Sequence, residues 1–248
     1  MAALLELDGV TKRFGGLDAN RDVSFAIEEG GIFGLIGPNG AGKTTLFHCI
    51  SGFFPPTAGR IRFAGRDITG WPAERVLHAG LARTFQVVRS FPDMTVLDNV
   101  MVGAFARTHR AATARARAED LLGVTSLAHR AGALAASLTI AEKKRLELTR
   151  ALATEPRLLM LDEVMAGLNP AERAQAVALI RAIRARGTTI LLVEHVMEVV
   201  MPVSDRVVVL DSGRKIAEGP PAAIVRNPDV VAAYLGEKYR PAEEGEAG

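Results

Sequence analysis

The stretch Ile32-Phe33-Gly34-Leu35-Ile36, running directly into Gly37-Pro38-Asn39-Gly40-Ala41-Gly42-Lys43-Thr44-Thr45, decides how this chain is read. The short apolar run has the length and composition of a buried strand. The glycine-rich segment behind it fits G-x-x-x-x-G-K-[ST] and leads into a helical pattern from Lys43 to Ser51. Glycines in such a loop let consecutive N–H groups turn inward around phosphate oxygens, and the helix adds its positive end. Lys43 is placed to reach β- and γ-phosphates, and the Thr44 hydroxyl to hold Mg2+. A glycine-rich turn without a ligand is the plainer reading, but the strand–loop–helix context favours phosphate binding.

Working outward, Leu158-Leu159-Met160-Leu161-Asp162-Glu163 is a second apolar strand, and it ends in two carboxylates. Asp162 at the strand end suits the metal's water shell, and Glu163 beside it suits polarising an attacking water. Such a strand alone is common; with the phosphate loop it points to hydrolysis of a nucleoside triphosphate. Other expected strands are Leu4–Leu7, Val23–Ile27, Ile61–Phe63, Ile190–Val193 and Val207–Leu210. Expected helices are Val96–Phe105, Ala141–Ala153, Pro170–Ala185 and Ala222–Arg226. Strands alternating with helices make an α/β fold. Pro170–Ala185 carries full punctuation, with Asn169 as N-cap, Pro170 in the first turn and Gly187 beyond the end. Residues 87–138 read as a helical insertion, and 237–248 as a polar tail.

Composition sets the outer bounds. The chain has 248 residues, 48% hydrophobic and 23% charged, with a net charge of +2, so it has ample material for a core and no basic excess for nucleic acid. One cysteine, Cys49, excludes an internal disulfide framework. The longest uncharged stretch, Thr44 to Gly59, contains Pro55 and Pro56, whereas a spanning helix needs about 20 apolar residues. The start has no basic lead region, so the chain reads as cytosolic, held to a membrane only through partners.

From residue 4 to 236 the sequence resembles the ATPase subunits of ATP-binding cassette (ABC) transporters. Phe14, in Lys12-Arg13-Phe14-Gly15-Gly16, matches the aromatic that stacks on adenine. Gln86, in Arg83-Thr84-Phe85-Gln86, matches the glutamine that touches Mg2+, and His195 matches the switch histidine that contacts the γ-phosphate. The resemblance implies a P-loop NTPase core with a helical subdomain and an antiparallel β subdomain near the N-terminus. It implies ATP bound by Phe14, Gly37–Thr45, Gln86 and His195, metal at Thr44, Gln86 and Asp162, and chemistry by Lys43, Glu163 and His195. The implied partners are a second ATPase subunit, two transmembrane permease subunits and, indirectly, an extracytoplasmic solute-binding protein. The implied place is the cytoplasmic face of the cell membrane.

The stretches Ala82–Pro92, Met94–Val100, Ala151–Pro156 and Ala166–Pro170 further resemble ATPases of branched-chain amino-acid importers, the larger of two paired subunits. The family's signature, usually Leu-Ser-Gly-Gly-Gln, is altered here to Leu138-Thr139-Ile140-Ala141-Glu142. Ile140 and Ala141 hinder close approach to a phosphate, and Glu142 is expected to set a negative charge near the partner's ATP. Val164 replaces a usual proline and Asn169 a usual aspartate. Arg107, Arg110, Arg115 and Arg117 read as a solvated helix face, and His48, His78, His109, His129 and Trp71 as packing or loop residues. Three functions compete with transport: another P-loop enzyme, a non-transport cassette protein, and an ATP-gated dimerisation module with weak hydrolysis. The missing Asn-Lys-x-Asp guanine motif disfavours the first, and the single cassette the second. Intact Glu163 and His195 disfavour the third for the chain's own site.

Overall fold

The computed structural model describes residues 3–85, 90–194 and 197–235. Gln86 and His195, both expected at the site, lie outside the described residues. The strands are β1 (Ala3–Phe14), β2 (Leu17–Glu28), β3 (Ile32–Ile36), β4 (Ala58–Phe63), β5 (Arg66–Asp67), β6 (Leu81–Arg83), β7 (Leu158–Asp162), β8 (Thr189–Val193), β9 (Arg206–Asp211) and β10 (Arg214–Gly219). The helices are α1 (Lys43–Ile50), α2 (Ala73–Ala79), α3 (Val96–Ala104), α4 (Ala111–Val124), α5 (Ile140–Ala153), α6 (Pro170–Ala185), α7 (Met197–Val200), α8 (Pro221–Ile224) and α9 (Pro228–Leu235).

A six-stranded sheet, ordered β10-β9-β3-β8-β7-β6, forms the core. Its members from β9 to β6 run parallel, and only the edge strand β10 is antiparallel. Parallel strands covered on both faces need continuous apolar runs, which is what β3, β7 and β8 supply. Successive residues then point to opposite faces. Ile32, Ile36, Leu159, Leu161, Ile190 and Leu192 join one cluster with α5, α6 and the helices between β6 and β7. Phe33, Leu35, Leu158, Met160, Leu191 and Val193 join the other, with α1 and the second sheet. Each fully buried side chain of this size contributes about 1.5–3 kcal/mol relative to exposure.

The second sheet, β2-β1-β4-β5, is antiparallel and formed by the N-terminal strands, as the resemblance implied. Residues 96–138 form helices and turns and no strand among the described residues, with Leu134 making one isolated antiparallel bridge to Thr95. Arg107 departs from expectation. It lies in a turn, and its guanidinium donates to the carbonyls of Thr154 (2.7 Å), His78 (3.0 Å) and Leu77 (3.2 Å). These are carbonyls at helix C-termini, where a cation is favoured. Arg117, half-buried, pairs with Glu155, whereas Arg110 and Arg115, the latter paired with Glu119 one turn on, stay exposed as the solvated-face reading expected.

Candidate ATP site

The C-terminal ends of β3, β8 and β7 lie side by side on one sheet edge, the edge where open α/β sheets bind ligands. The glycine loop leaves β3, Asp162 ends β7 with Glu163 directly after it, and Glu194 follows β8. The Glu163 N–H donates to the Val193 carbonyl at 2.9 Å, which fastens the carboxylate pair to the neighbouring strand.

The loop's shape depends on two glycines. Gly37 has φ +153°, and a Cβ there would sit 2.1 Å from the Leu210 carbonyl oxygen. Gly42 has φ +93°, and its Cβ would meet the Ala19 carbonyl oxygen at 2.3 Å. Gly42 is also the N-cap of α1, which has neither a capping side chain nor an acidic residue in its first turn. Its leading N–H groups are therefore left for an external anion. Lys43 is 7% exposed, and its ammonium donates to the carbonyls of Gly37 (2.7 Å) and Pro38 (2.9 Å). Burial lowers its pKa, while Glu163 and Asp162 pull it back up.

A cleft of about 510 Å³ opens over this loop, lined by Phe14, Asn39–Thr45, Ser212 and Gly213. Phe14 is 47% exposed there, with Phe54 edge-on at 5.4 Å and the Lys12 ammonium 5.0 Å from its ring centre. The position suits a residue that offers a ring to a base. A larger cavity of about 720 Å³ lies elsewhere, among Leu81, Phe85, Phe91, Val102 and Arg150, and includes none of the glycine loop.

Asp162 is 4% exposed, and burial, reinforced by the charge of Glu163, pushes its carboxyl up to about 6 against the pull of Arg83 and Lys43. Its N–H donates to Thr84 Oγ1 at 3.2 Å, and the Thr84 N–H donates to the Met160 carbonyl at 2.9 Å. Glu163 sits at φ +48°, a left-handed conformation costing of order 1–3 kcal/mol for a residue with a side chain. Among the described residues no cluster of three His, Cys, Asp or Glu side chains forms a protein-only metal cage. The buried Asp162 carboxylate at the end of β7 and the Thr44 hydroxyl on the cleft wall are instead the few hard oxygens that suit Mg2+, which takes one or two protein oxygens plus phosphates and waters.

Four positions escaped the sequence reading. Besides Thr84, Glu194 is fully buried and accepts the Met165 N–H at 2.8 Å, holding the loop after β7. Glu147 accepts the Phe85 N–H at 2.6 Å, immediately before Gln86. Lys144 donates to the carbonyls of Val164 (3.5 Å) and Ala166. One signal was available for Glu147, which shares a helical face with the buried Ala151 one turn on, where a carboxylate needs a partner.

The altered signature forms a closed N-terminus. Thr139 and Glu142 make a reciprocal capping box, and Arg130 Nε stands 3.3 Å from the Glu142 carboxylate. The negative charge expected at Glu142 is present, and two local partners hold it. Asn169 likewise caps α6, reciprocally with Glu172 at 2.9 Å in each direction. Ile140 remains 74% exposed.

Comparison with known proteins agrees with this geometry. Residues 20–166 match the family model "ABC transporter", and residues 214–240 match "Branched-chain amino acid ATP-binding cassette transporter". The high-affinity branched-chain amino acid transport ATP-binding protein BraF of Pseudomonas aeruginosa is 42% identical, over 94% of this chain and 98% of its own. LivG of Escherichia coli K12, of the same description, is also 42% identical with the same coverage. Among solved structures, the ADP conformation of an ATP-binding cassette of an ABC transporter superposes with a TM-score of 0.86 at 30% identity, covering 96% of this chain and 100% of that one. Matched through most of its length by family model and relatives alike, the chain belongs to the ABC transporter family, as one of its ATP-hydrolysing subunits.

Proposed function

We propose that this subunit drives uptake of branched-chain amino acids, working from the cytoplasmic face of the membrane beneath permease subunits. The observation that carries the reading is the single sheet edge where an uncapped helix N-terminus, the Lys43 ammonium and the Asp162–Glu163 pair converge. Among the described residues no helix is long and apolar enough to cross a membrane, so attachment falls to partners. The names of BraF and LivG supply the solute class.

In this reading Phe14 offers its ring to adenine, and the Gly37–Thr45 backbone and Lys43 hold the phosphates. Thr44, Gln86 and Asp162 would hold Mg2+, which when bound neutralises phosphate charge. Glu163 orients and deprotonates the attacking water, and His195 contacts the γ-phosphate. A second ATPase subunit closes over the site, and residues 87–138 form a subdomain facing the permease. The cavity of about 720 Å³ between β6 and the following helices, with exposed Phe53, Phe91 and Val102 at its walls, suits an apolar permease segment.

The test is to purify the chain with its membrane neighbours and assay ATP turnover with solute-loaded receptor. Leucine-, isoleucine- or valine-loaded receptor should stimulate turnover. Stimulation by an unrelated solute alone would overturn the assignment.

A further inference from the structure

One helix grips both loops of the ATP site. Lys144 and Glu147 stand three residues apart on α5, a spacing that puts them on neighbouring parts of one face. The Glu147 carboxylate is buried and accepts the Phe85 N–H at 2.6 Å, on the segment that leads into Gln86. The Lys144 ammonium donates to the Val164 carbonyl at 3.5 Å and to that of Ala166, on the segment that leaves Asp162 and Glu163. Both contacts reach backbone atoms, so they fix where a loop lies rather than what its side chains do. The Lys144 contacts are charge-assisted, a class of hydrogen bond stronger than the neutral one.

The N-terminal end of α5 carries Thr139–Glu142, the altered signature that the family resemblance sets against a second subunit's ATP. Between the two ends runs a regular helix whose side chains Leu146, Leu148, Ala151 and Leu152 are buried in the core. Packed helices move as units rather than deforming continuously.

Resting on that proposed function, we propose that Lys144 and Glu147 are positioning residues through which α5 sets both catalytic loops of this chain's own ATP site. Displacement of the signature end then reaches the site through the described Phe85 segment on one side, and Glu163 through Val164 and Ala166 on the other. The two ATP sites of the assembly are thus linked inside this chain by one helix.

The test uses the assembled transporter carrying Glu147→Leu, Glu147→Gln, Lys144→Met or Lys144→Arg. The apolar variants should lower kcat about tenfold with KM and ATP affinity within about twofold, the pattern of lost transition-state positioning. Gln retains an acceptor for the Phe85 N–H and Arg retains donors for the carbonyls, so both should hold kcat within about threefold of wild type. Hydrogen exchange should show the Phe85 amide protected in wild type and Glu147→Gln, and exposed in Glu147→Leu. Wild-type kcat in both apolar variants, or equal losses in conservative and apolar variants, would overturn the proposal. If the apolar variants do not fold, exchange in the wild-type transporter decides. On adding ATP with Mg2+, the Phe85 amide should respond together with the first turn of α5, and a response confined to α5 overturns the link. Failure of the underlying function looks different, because the wild-type assembly would then not hydrolyse ATP.

Discussion

The Glu142 carboxylate accepts the Thr139 backbone N–H at 2.8 Å, so the first turn of α5 is closed by an anion of the chain itself. α1 shows the opposite arrangement, with its first turn left open beneath the phosphate cleft. The difference makes the altered signature a matter of occupied donors and added side chains more than of net charge. Thr139, Arg130 and His129 hold the Glu142 pKa below its ordinary value, with the Thr139 N–H as the main cause, so it stays ionised and locally compensated. Glu142→Gln alone should therefore change ATP turnover of the assembled transporter by less than about threefold. Replacing Thr139–Glu142 by Ser-Gly-Gly-Gln, which also removes the exposed Ile140, should raise it further. A tenfold rise from Glu142→Gln alone would show that charge, not shape, limits that site.

Lys43→Ala removes the one ammonium of the glycine loop. Binding of ATP with Mg2+ should weaken by roughly 10²-fold, the scale of a charged hydrogen-bonded contact of 2–3 kcal/mol. Titration calorimetry at fixed magnesium reads this directly, and unchanged affinity would remove Lys43 from the phosphate site.

Glu163→Gln keeps the shape of the β7 end and the N–H bond to Val193. It should retain ATP affinity while turnover falls by about 10² or more, as for loss of a placed general base. Wild-type turnover in this variant would assign the base elsewhere.

Glu147 makes stability depend on pH. Burial pushes its carboxyl up from 4.5 to about 7, against the pull of the Phe85 N–H, Arg150, Arg83 and Lys144. Between those values the folded chain binds more protons than the unfolded one, so this group's contribution falls as pH rises and is lost by about pH 8. The full span is roughly 3 kcal/mol as an upper bound. Urea unfolding at pH 5 and pH 8 should show Glu147→Gln gaining on wild type at the higher pH. A difference that ignores pH would mean Glu147 titrates normally.

Cys49 is 3% exposed, and burial pushes its thiol up to about 11. A thiol reagent near neutral pH should leave it unmodified in the folded chain and react fully in urea. Rapid modification under native conditions would mean that α1 opens locally.

The parts of the fold legible in sequence were those whose signals are local. β3 and α1 are contiguous with the glycine loop, and α6 runs over Pro170–Ala185 as its capping residues indicated. β1 and β2 run well past the apolar runs that announced them, because half-exposed hairpin strands continue on alternating polar residues. β6 has three residues, and β10 reads Arg-Lys-Ile-Ala-Glu-Gly, an edge strand whose charges hide its period. At the site, motif residues were readable because phosphate chemistry restricts residue type. Thr84, Lys144, Glu147 and Glu194 were not, because each acts on a backbone atom far away in sequence, a choice that leaves no fixed spacing.

The placement of β8 between β3 and β7 gives the sheet the role of a ruler. Neighbouring strands are about 4.8 Å apart, so the strand ends that launch the glycine loop and the carboxylate pair are held roughly 10 Å apart. That gauge is set by backbone hydrogen bonds and owes nothing to the identity of any side chain. Loops on this edge can therefore change in sequence while the gap between phosphate grip and carboxylates keeps its width.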